Sequence, residues 1–301
     1  MNVPYKLPSV SEKNKALKKI VASNKTIAIP GIYNAASAMI AEKLGFKIIY
    51  LGGAATTLGM GLPDLGIISM DDMLHEAKKI TSITSIPLIC DVDTGYDNAG
   101  KTVRLFEEAG VSGIQIEDQE DFKKCGHLDN KKVISMQDMV KKIRSAVKAR
   151  NDPKFIIIAR TDARGVTDID DAVKRCNAYA EAGADVIFPE ALMTQDEFEY
   201  VSKRVSVPLL ENMTEYGKTP YLTVEEFAKL GYNFVLFPVS TLRASLKTVE
   251  DVLTAVRDKG TQRYFVEDRK MMTRDELKQL IKYEDWQNSI NKTLAKKQKT
   301  K

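Results

Sequence analysis

The feature that most constrains the fold is one pattern that occurs four times along the chain. In each copy a helix-like stretch ends on a glycine, and a short apolar run follows a few residues later. The four glycines are Gly45, Gly110, Gly183 and Gly231. Glycine readily adopts the left-handed conformation that ends many helices. Apolar runs that are continuous rather than alternating are typical of strands covered on both faces. The pattern therefore predicts repeated helix–strand units around a parallel sheet.

Four further apolar runs raise the number of predicted strands to eight. The strands cover residues 26–30, 47–52, 87–93, 113–118, 155–161, 185–190, 207–212 and 234–238. Helix-like stretches lie between them at 34–44, 99–109, 136–149, 169–182 and 223–230. This alternation predicts a (β/α)8 barrel of the TIM type, which forms one domain of roughly 250 residues. A doubly wound open sheet is the alternative, disfavoured because no glycine-rich dinucleotide-binding turn follows any of these strands.

Composition changes near the end of the chain, although residues 1–301 are expected to form a single domain. The expected parts are a barrel core at about 25–247, a charged helical extension at about 248–290 and a disordered tail at about 291–301. Thr273 begins the sequence Thr-Arg-Asp-Glu, which predicts a capped helix start. Tyr283 and Trp286 are apolar side chains of the extension that must pack against the barrel or against a neighbouring subunit.

Composition and charge argue against several classes of function. The net charge of +4 is small, and much of the lysine excess lies near the two ends, so no nucleic-acid partner is expected. No apolar run approaches the roughly 18 residues of a membrane helix, and the first 25 residues lack the apolar core of a signal peptide. Three separated cysteines and two histidines fit a cytoplasmic protein whose metal ligands would be oxygens rather than a zinc site.

Acidic residues lie at the carboxyl-terminal ends of several predicted strands, which is where barrel enzymes place their active sites. They are Asp91, Asp93, Glu117, Glu190 and Glu211. Asp91 and Asp93 are two positions apart on one strand, so both should point to the same side. Carboxylates this close repel one another unless a cation compensates. With Glu117 on the neighbouring strand they predict an oxygen cage for Mg²⁺, with Mn²⁺ as an alternative. Each acidic residue taken singly could instead cap the following helix.

The segment after the fourth strand, residues 119 to about 130, is long for such a connection and favours a gating or binding loop. It contains Cys125 within the sequence Lys-Lys-Cys-Gly-His. Cationic neighbours favour the thiolate, so this cysteine could exchange protons near neutral pH. The other interpretation is an ordinary cysteine on a charged surface loop. Cys90 and Cys176 lie in apolar strand and amphipathic helix contexts and are predicted core residues.

Several motifs, in the family's order, resemble the isocitrate lyase/phosphoenolpyruvate mutase superfamily. They span residues 61–66, 91–95, 116–119, 123–127, 159–162, 188–190, 212–217 and 273–277. Together the motifs are most similar to the 2-methylisocitrate lyase branch. The cysteine-containing segment argues for a carbon–carbon lyase, because the mutase branch lacks that motif. The resemblance implies a Mg²⁺-dependent lyase that cleaves 2-methylisocitrate into pyruvate and succinate by retro-Claisen chemistry. It also implies a homotetramer whose C-terminal helices are exchanged between subunits.

The resemblance further implies roles for individual residues. Asp91 and Asp93 would hold the metal directly or through water. Asp64 and Glu117 would contact the groups that bind the metal rather than the metal itself. Cys125 would act as general acid and base, and Tyr50 and Arg160 would belong to the same catalytic group. The residues that would bind the substrate are Gly52, Gly53, Gly126, His127, Arg160, Glu190, Asn212, Thr214, Arg243 and Arg274.

Two departures from the family pattern bear on the substrate. Gly52 stands where the methylisocitrate branch usually has serine, so a hydroxyl donor to a substrate carboxylate is missing. The interval before Arg274 is also slightly longer than usual. The related acids 2,3-dimethylmalate, isocitrate and oxaloacetate therefore remain alternative substrates, and a non-catalytic barrel scaffold remains an alternative function. A Schiff-base aldolase is disfavoured because no predicted strand ends on a lysine.

Overall fold

Eight parallel strands form the centre of the fold in the computed structural model, which describes residues 3–23, 25–120 and 131–299. The strands are β1 Ile27–Ile32, β2 Ile49–Leu51, β3 Leu88–Asp91, β4 Gly113–Glu117, β5 Ile156–Thr161, β6 Val186–Pro189, β7 Leu210–Asn212 and β8 Phe234–Phe237. Their order is β6-β5-β4-β3-β2-β1-β8-β7. A parallel bridge between Ile187 and Leu209 joins the two outer members of this series. The predicted (β/α)8 barrel is confirmed.

Helices surround the strands and continue beyond the last of them. They are α1 Val10–Val21, α2 Ala35–Lys43, α3 Gly53–Gly59, α4 Met70–Thr81, α5 Ala99–Glu108, α6 Met136–Ala149, α7 Ile169–Glu181, α8 Gln195–Ser202, α9 Val224–Lys229, α10 Ser240–Lys259, α11 Arg263–Glu267, α12 Arg274–Leu280 and α13 Tyr283–Lys299. The four glycines of the repeated pattern all have positive φ, from +82° to +104°. The left-handed helix ends predicted from the sequence are thus confirmed, and each turns the chain directly into a strand.

The interior of the barrel is apolar at its amino-terminal end. Side chains from successive strands, such as Ile156, Val186 and Phe234, form one buried cluster together with Leu17 and Val21 of α1. Since Ile156, Val186 and Phe234 are the first residues of their strands or close to them, α1 covers the amino-terminal opening. The apolar cluster that α1 covers and the predicted site residues therefore lie at opposite ends of the barrel, as is usual for this architecture.

The carboxyl-terminal helices continue to the end of the described residues. α13 extends to Lys299, through the stretch from about 291 onward for which the sequence predicts a disordered tail. Alanine, lysine and glutamine dominate its last turns, and these residues favour helix. The predicted capping box at Thr273 is confirmed by its reciprocal hydrogen bonds with Glu276 at the start of α12. Among the described residues, no helix combines the length and apolar character needed to cross a membrane.

Candidate active site at the carboxyl ends of the strands

A cavity of about 240 Å³ opens at the carboxyl-terminal end of the barrel. Its polar lining consists of residues already predicted from the sequence: Tyr50, Gly52, Asp64, Asp91, Arg160, Glu190, Asn212, Thr214 and Arg243. The rest of the lining is apolar and comes from Ala54, Ala55, Leu58, Phe188, Leu236, Pro238 and Val239. Residues widely separated in sequence meet here because parallel strands end at the same edge of the barrel. The lining thus combines charged and polar groups with apolar side chains.

Arg160 is a cation of the cavity lining that is surrounded by three carboxylates. Its Nε and Nη2 donate to the two carboxylate oxygens of Asp162, at 2.9 and 3.1 Å. Its Nη1 lies 3.4 Å from Glu117 and 3.3 Å from Glu190, and the guanidinium stacks over the Phe188 ring. Burial opposes the charge, but the carboxylates of Asp162, Glu117 and Glu190 outweigh it and raise the pKa of Arg160 well above its ordinary value. Arg160 is therefore a fixed cation at the bottom of the cavity.

Asp91 and Asp93 converge, but not by the geometry that the sequence predicted. Asp91 is the last residue of β3, and Asp93 lies beyond the strand with a left-handed φ of +49°. The Asp93 amide donates to Asp91 Oδ1 at 3.0 Å, and the Gly53 amide donates to Asp91 Oδ2 at 3.2 Å. A turn, rather than the two-residue period of a strand, brings the carboxylates together. A Cβ atom on Gly53 would lie 3.2 Å from Asp93 Oδ1 and 3.4 Å from Asp91 Oδ2, so glycine leaves this side of the pair open.

The carboxylate pair fits a magnesium ion by its donor chemistry. Mg²⁺ prefers oxygen ligands, uses one or two protein carboxylates and keeps several waters. Within the described residues, no three His, Cys, Asp or Glu side chains are arranged to hold a metal. Glu117 lies 3.4 Å from Arg160 Nη1, and its predicted place beside the aspartate pair stays a prediction. The pair Asp91 and Asp93 remains as the metal-binding candidate, with Asp64 in the cavity lining nearby.

Tyr50 is a neutral hydrogen-bonding group in this site. Its hydroxyl donates to Gln115 Oε1 at 2.6 Å, and both side chains are buried. Burial, and then the nearby Asp91 carboxylate, raise the pKa of the phenol well above its ordinary value. The phenol therefore keeps its proton and cannot act as a base at neutral pH. Sequence reasoning missed Gln115, although its place two residues before Glu117 on β4 puts both on the inner face of the barrel.

Strand β7 brings Asn212, but not Glu211, to the cavity. Leu210 belongs to the inner core and Asn212 lines the cavity, so Glu211 between them faces the helices. The prediction that Glu211 lies with the other strand-end carboxylates at the cavity is therefore wrong. Burial, and then the Glu190 carboxylate, raise the pKa of Glu211 well above its ordinary value. Glu190 itself lines the cavity, where it accepts hydrogen bonds from the Ala191 amide at 3.0 Å and from Asn212 Nδ2 at 3.3 Å.

The remaining predicted residues fall in three places. Thr214 and Arg243 line the outer part of the cavity, where Arg243 lies 3.6 Å from Glu215. Arg274 is the first residue of α12, outside the lining of this cavity. Cys125, Gly126 and His127 lie outside the described residues, so their predicted roles stay predictions.

The other two cysteines are core residues, as predicted. Cys90 and Cys176 are fully buried. Burial, and then a nearby carboxylate (Asp91 for Cys90, Asp118 for Cys176), raise the pKa of each thiol above its ordinary value. A thiol that does not ionise is a poor nucleophile and a poor proton carrier. Neither cysteine is therefore suited to the acid–base role predicted for Cys125.

Comparison with known proteins assigns the family. Residues 17–257 match the family model described as phosphoenolpyruvate phosphomutase. The chain belongs to the phosphoenolpyruvate mutase/isocitrate lyase superfamily. Within this superfamily it is 48% identical over 274 residues to a 2-methylisocitrate lyase of Aeropyrum pernix, a match that covers 90% of this chain and 88% of that protein. A 2-methylisocitrate lyase of Bacillus subtilis is 42% identical over 294 residues, with 97% and 96% of the two chains covered.

Solved structures of the superfamily share the fold over almost the whole chain. An oxaloacetate acetylhydrolase in complex with 3,3-difluorooxalacetate has a TM-score of 0.89 at 31% identity, covering 95% of this chain and 98% of the other. A 2,3-dimethylmalate lyase has a TM-score of 0.87 at 29% identity, covering 96% of each chain. The superfamily members similar to this chain therefore differ in reaction, and the side chains of the site have to be considered when a substrate is assigned.

Proposed function

We propose that this protein is a carbon–carbon lyase that cleaves 2-methylisocitrate into pyruvate and succinate, with Mg²⁺ held by Asp91 and Asp93. The observation that carries the proposal is one cavity whose lining combines the Arg160 cation and Asp91 of the aspartate pair with several apolar side chains. The curated relatives that cover at least nine tenths of the chain and bear the name 2-methylisocitrate lyase support the same conclusion.

The two kinds of group in the lining match the two characters of this substrate, its carboxylates and its methyl group. Arg160 is a cation that can contribute a charge-assisted hydrogen bond to a substrate carboxylate. Leu236, Pro238 and Val239 are apolar residues of the lining, suited to contact with a methyl group. One methyl group in such a pocket is worth only about 1–3 kcal/mol of discrimination. These apolar residues therefore favour a methyl-bearing acid without rejecting its smaller analogues completely.

The mechanism we infer assigns separate tasks to the residues of the site. The chemistry that Mg²⁺ supplies when bound is Lewis-acid polarisation of substrate oxygens. The 2-hydroxyl loses its proton, which passes to solvent, and C2 becomes the carbonyl carbon of pyruvate as the bond between C2 and C3 breaks. The electron pair of that bond stays on the succinate half, and Arg160 stabilises the negative charge that spreads into its carboxylate. Tyr50 keeps its proton and orients its neighbours as a hydrogen-bond donor. Cys125 delivers the proton that the succinate carbon needs.

The test is a coupled assay of pyruvate release on purified protein. We expect turnover of 2-methylisocitrate, loss of turnover with EDTA and its return with Mg²⁺. Cys125→Ser should lower kcat by about 10²–10⁴-fold with a far smaller change in KM, because serine is a much weaker acid of nearly the same shape. Cys176→Ser is the matched control and should leave kcat of the folded protein unchanged, since that thiol is buried away from the cavity.

Other outcomes would reassign the function. Full turnover in EDTA would contradict the proposed dependence on Mg²⁺. Near-normal kcat in Cys125→Ser would mean that another residue delivers the proton. Preference for 2,3-dimethylmalate or oxaloacetate would instead assign this chain one of the activities named for the similar solved structures. Absence of turnover with all of these acids and with isocitrate would favour the scaffold alternative.

We also propose that the protein is a cytoplasmic homotetramer with exchanged carboxyl-terminal helices. Four apolar residues of α10 support an interface because they are exposed and recur every three or four positions: Leu246, Val249, Leu253 and Val256. This spacing forms one stripe along the helix, as in a helix that packs against another helix. A second copy of the chain is the partner that the family resemblance implies.

A further inference from the structure

Lys131 is a buried cation to which the mechanism above assigns no task. Its Nζ lies 2.7 Å from Asp162 Oδ1, and the two side chains are 1% and 0% exposed. Lysine is almost never fully buried unless its charge is paired. The pair is thus a specific feature of this site, about as inaccessible to solvent as the apolar core.

Asp162 connects Lys131 to the arginine of the active site. Its Oδ1 accepts hydrogen bonds from both Lys131 Nζ and Arg160 Nη2, while its Oδ2 accepts one from Arg160 Nε. Its backbone amide donates to Asp118 Oδ1 at 2.9 Å. One carboxylate therefore lies between two cations, and the position of either cation depends on that carboxylate.

The backbone around Lys131 is itself held in place. The Ile134 amide donates to the Asp118 carbonyl at 2.8 Å, and the Glu120 amide donates to the Lys132 carbonyl at 3.0 Å. Gln119 and Val133 form an antiparallel bridge between the same two segments. We call residues 118–120 and 131–134 the neck. Because Lys131 is part of the neck, its ammonium is anchored at one end by backbone hydrogen bonds and at the other by Asp162.

The space for this lysine is provided by a glycine. A Cβ atom on Gly165, in the 3₁₀ turn after β5, would lie 3.3 Å from Lys131 Nζ and 3.5 Å from its Cε. That separation is tight for a new carbon atom, so a side chain at residue 165 would push the ammonium away from Asp162. The packing on this side therefore favours a single position for the lysine.

We propose that Lys131 is a positioning residue for the active site, acting through Asp162 to hold the guanidinium of Arg160 in the orientation that binds a substrate carboxylate. The proposal rests on the function proposed above. Without the ammonium, the Asp162 carboxylate loses the second of its two cations and is drawn towards Arg160, which changes the angle of the guanidinium. Misplacing a substrate-binding group by about 1 Å can cost 10²-fold in rate.

The experiment compares Lys131→Met with Lys132→Met. Lys132 is the exposed neighbour on the same neck, so its replacement removes the same charge without touching Asp162. We expect Lys131→Met to raise KM for 2-methylisocitrate, and the Kd for succinate measured by calorimetry with Mg²⁺, by about 10–100-fold. Lys132→Met should stay within about twofold of wild type, and Lys131→Arg should recover part of the loss because it restores a cation.

The separate effects on KM and on kcat distinguish a positioning role from a purely structural role. A purely structural lysine would lower the amount of active enzyme, and therefore kcat, while KM and Kd stay unchanged. That result, or Lys131→Met values within twofold of Lys132→Met, would overturn the proposal. If Lys131→Met does not fold, Lys131→Gln replaces it, because the amide can still donate to Asp162 but carries no charge. The same criteria then apply to this variant.

The succinate measurement separates this proposal from the proposed function. If wild type binds succinate but releases no pyruvate from 2-methylisocitrate, the proposed function fails while the comparison of Kd values still tests Lys131. If wild type cleaves 2-methylisocitrate and the Lys131 variants match the control, the positioning role alone fails.

Discussion

The ionisation of side chains around the cavity is decided by their nearest neighbours. Arg160 stays charged because three carboxylates surround it, whereas Tyr50 stays neutral because it is buried beside a carboxylate. Glu211 is fully buried and lies near Glu190, and both factors raise the pKa of its carboxyl well above the ordinary value. One small region thus contains groups whose pKa values are shifted by burial and by neighbouring charges, as catalytic sites commonly do.

The raised pKa of Glu211 predicts how stability depends on pH. In the unfolded chain this carboxyl ionises near its ordinary pKa of 4.5, whereas in the folded protein it keeps its proton to higher pH. Above pH 4.5 the folded state therefore binds more protons, and the protein loses up to about 1.4 kcal/mol for each pH unit until the folded pKa is reached. Glu211→Gln removes this loss, so its free energy of unfolding should exceed that of wild type at pH 8 and match it more closely at pH 4.5.

Urea unfolding at the two pH values measures the effect. Glu225→Gln is the matched control, since Glu225 is exposed on α9 and should behave the same at both pH values. A Glu211→Gln variant less stable than wild type at pH 8 would mean that this carboxyl is ionised and paired in the folded protein.

Among the elements, α1 has a task that differs from that of the other helices. It contributes Leu17 and Val21 to the core inside the barrel, whereas helices such as α5 and α6 pack on the outside of the strands. Lys13 of α1 adds hydrogen bonds to the carbonyls of Thr81 and Thr84 at the end of α4. The helix therefore closes the opening opposite the active site.

Leu17→Ala should reduce stability without altering the chemistry. Leu17 is fully buried, and removing a buried leucine costs about 2–5 kcal/mol because apolar contacts are lost and a cavity remains. Chemical denaturation measures the loss, and KM of the folded enzyme should not change. Leu44→Ala, at a position that is 69% exposed, is the control and should change stability by less than about 0.5 kcal/mol. A similar loss in both variants would contradict the role assigned to α1.

At the scale of the whole molecule, the exposed stripe on α10 predicts assembly. Leu253 is 62% exposed in the single chain, and burying it against a second copy is favourable by the hydrophobic effect. Leu253→Glu should therefore yield smaller species than wild type in light scattering at equal concentration, because a buried unpaired charge is costly.

Thr254→Glu places the same charge on the adjacent, also exposed residue of α10, which points away from the stripe. This control should keep the wild-type mass. A Leu253→Glu variant with the wild-type mass, or a wild type that is monomeric, would show that the stripe is not the interface.

The sequence by itself determined the architecture and most of the cavity. Eight apolar runs separated by helices, with Gly45, Gly110, Gly183 and Gly231 at helix ends, can be read without coordinates because strands and helices have fixed periods and glycine has few competitors in the left-handed region. Strand-end residues such as Asp91 and Glu190 followed from the same logic, since the carboxyl ends of parallel strands must meet, whereas Arg160 and Asn212 were implied by the family resemblance.

Only the tertiary structure decided which groups pair within the cavity. Asp93 reaches Asp91 through a left-handed turn, Glu117 lies beside Arg160, and Glu211 faces the helices. The pair of Lys131 with Asp162 joins residues 31 positions apart. Such pairings depend on distances of a few ångströms between side chains from different strands and loops. Local sequence constrains backbone conformation and burial, but it does not constrain those distances, because they are set by how the whole barrel packs.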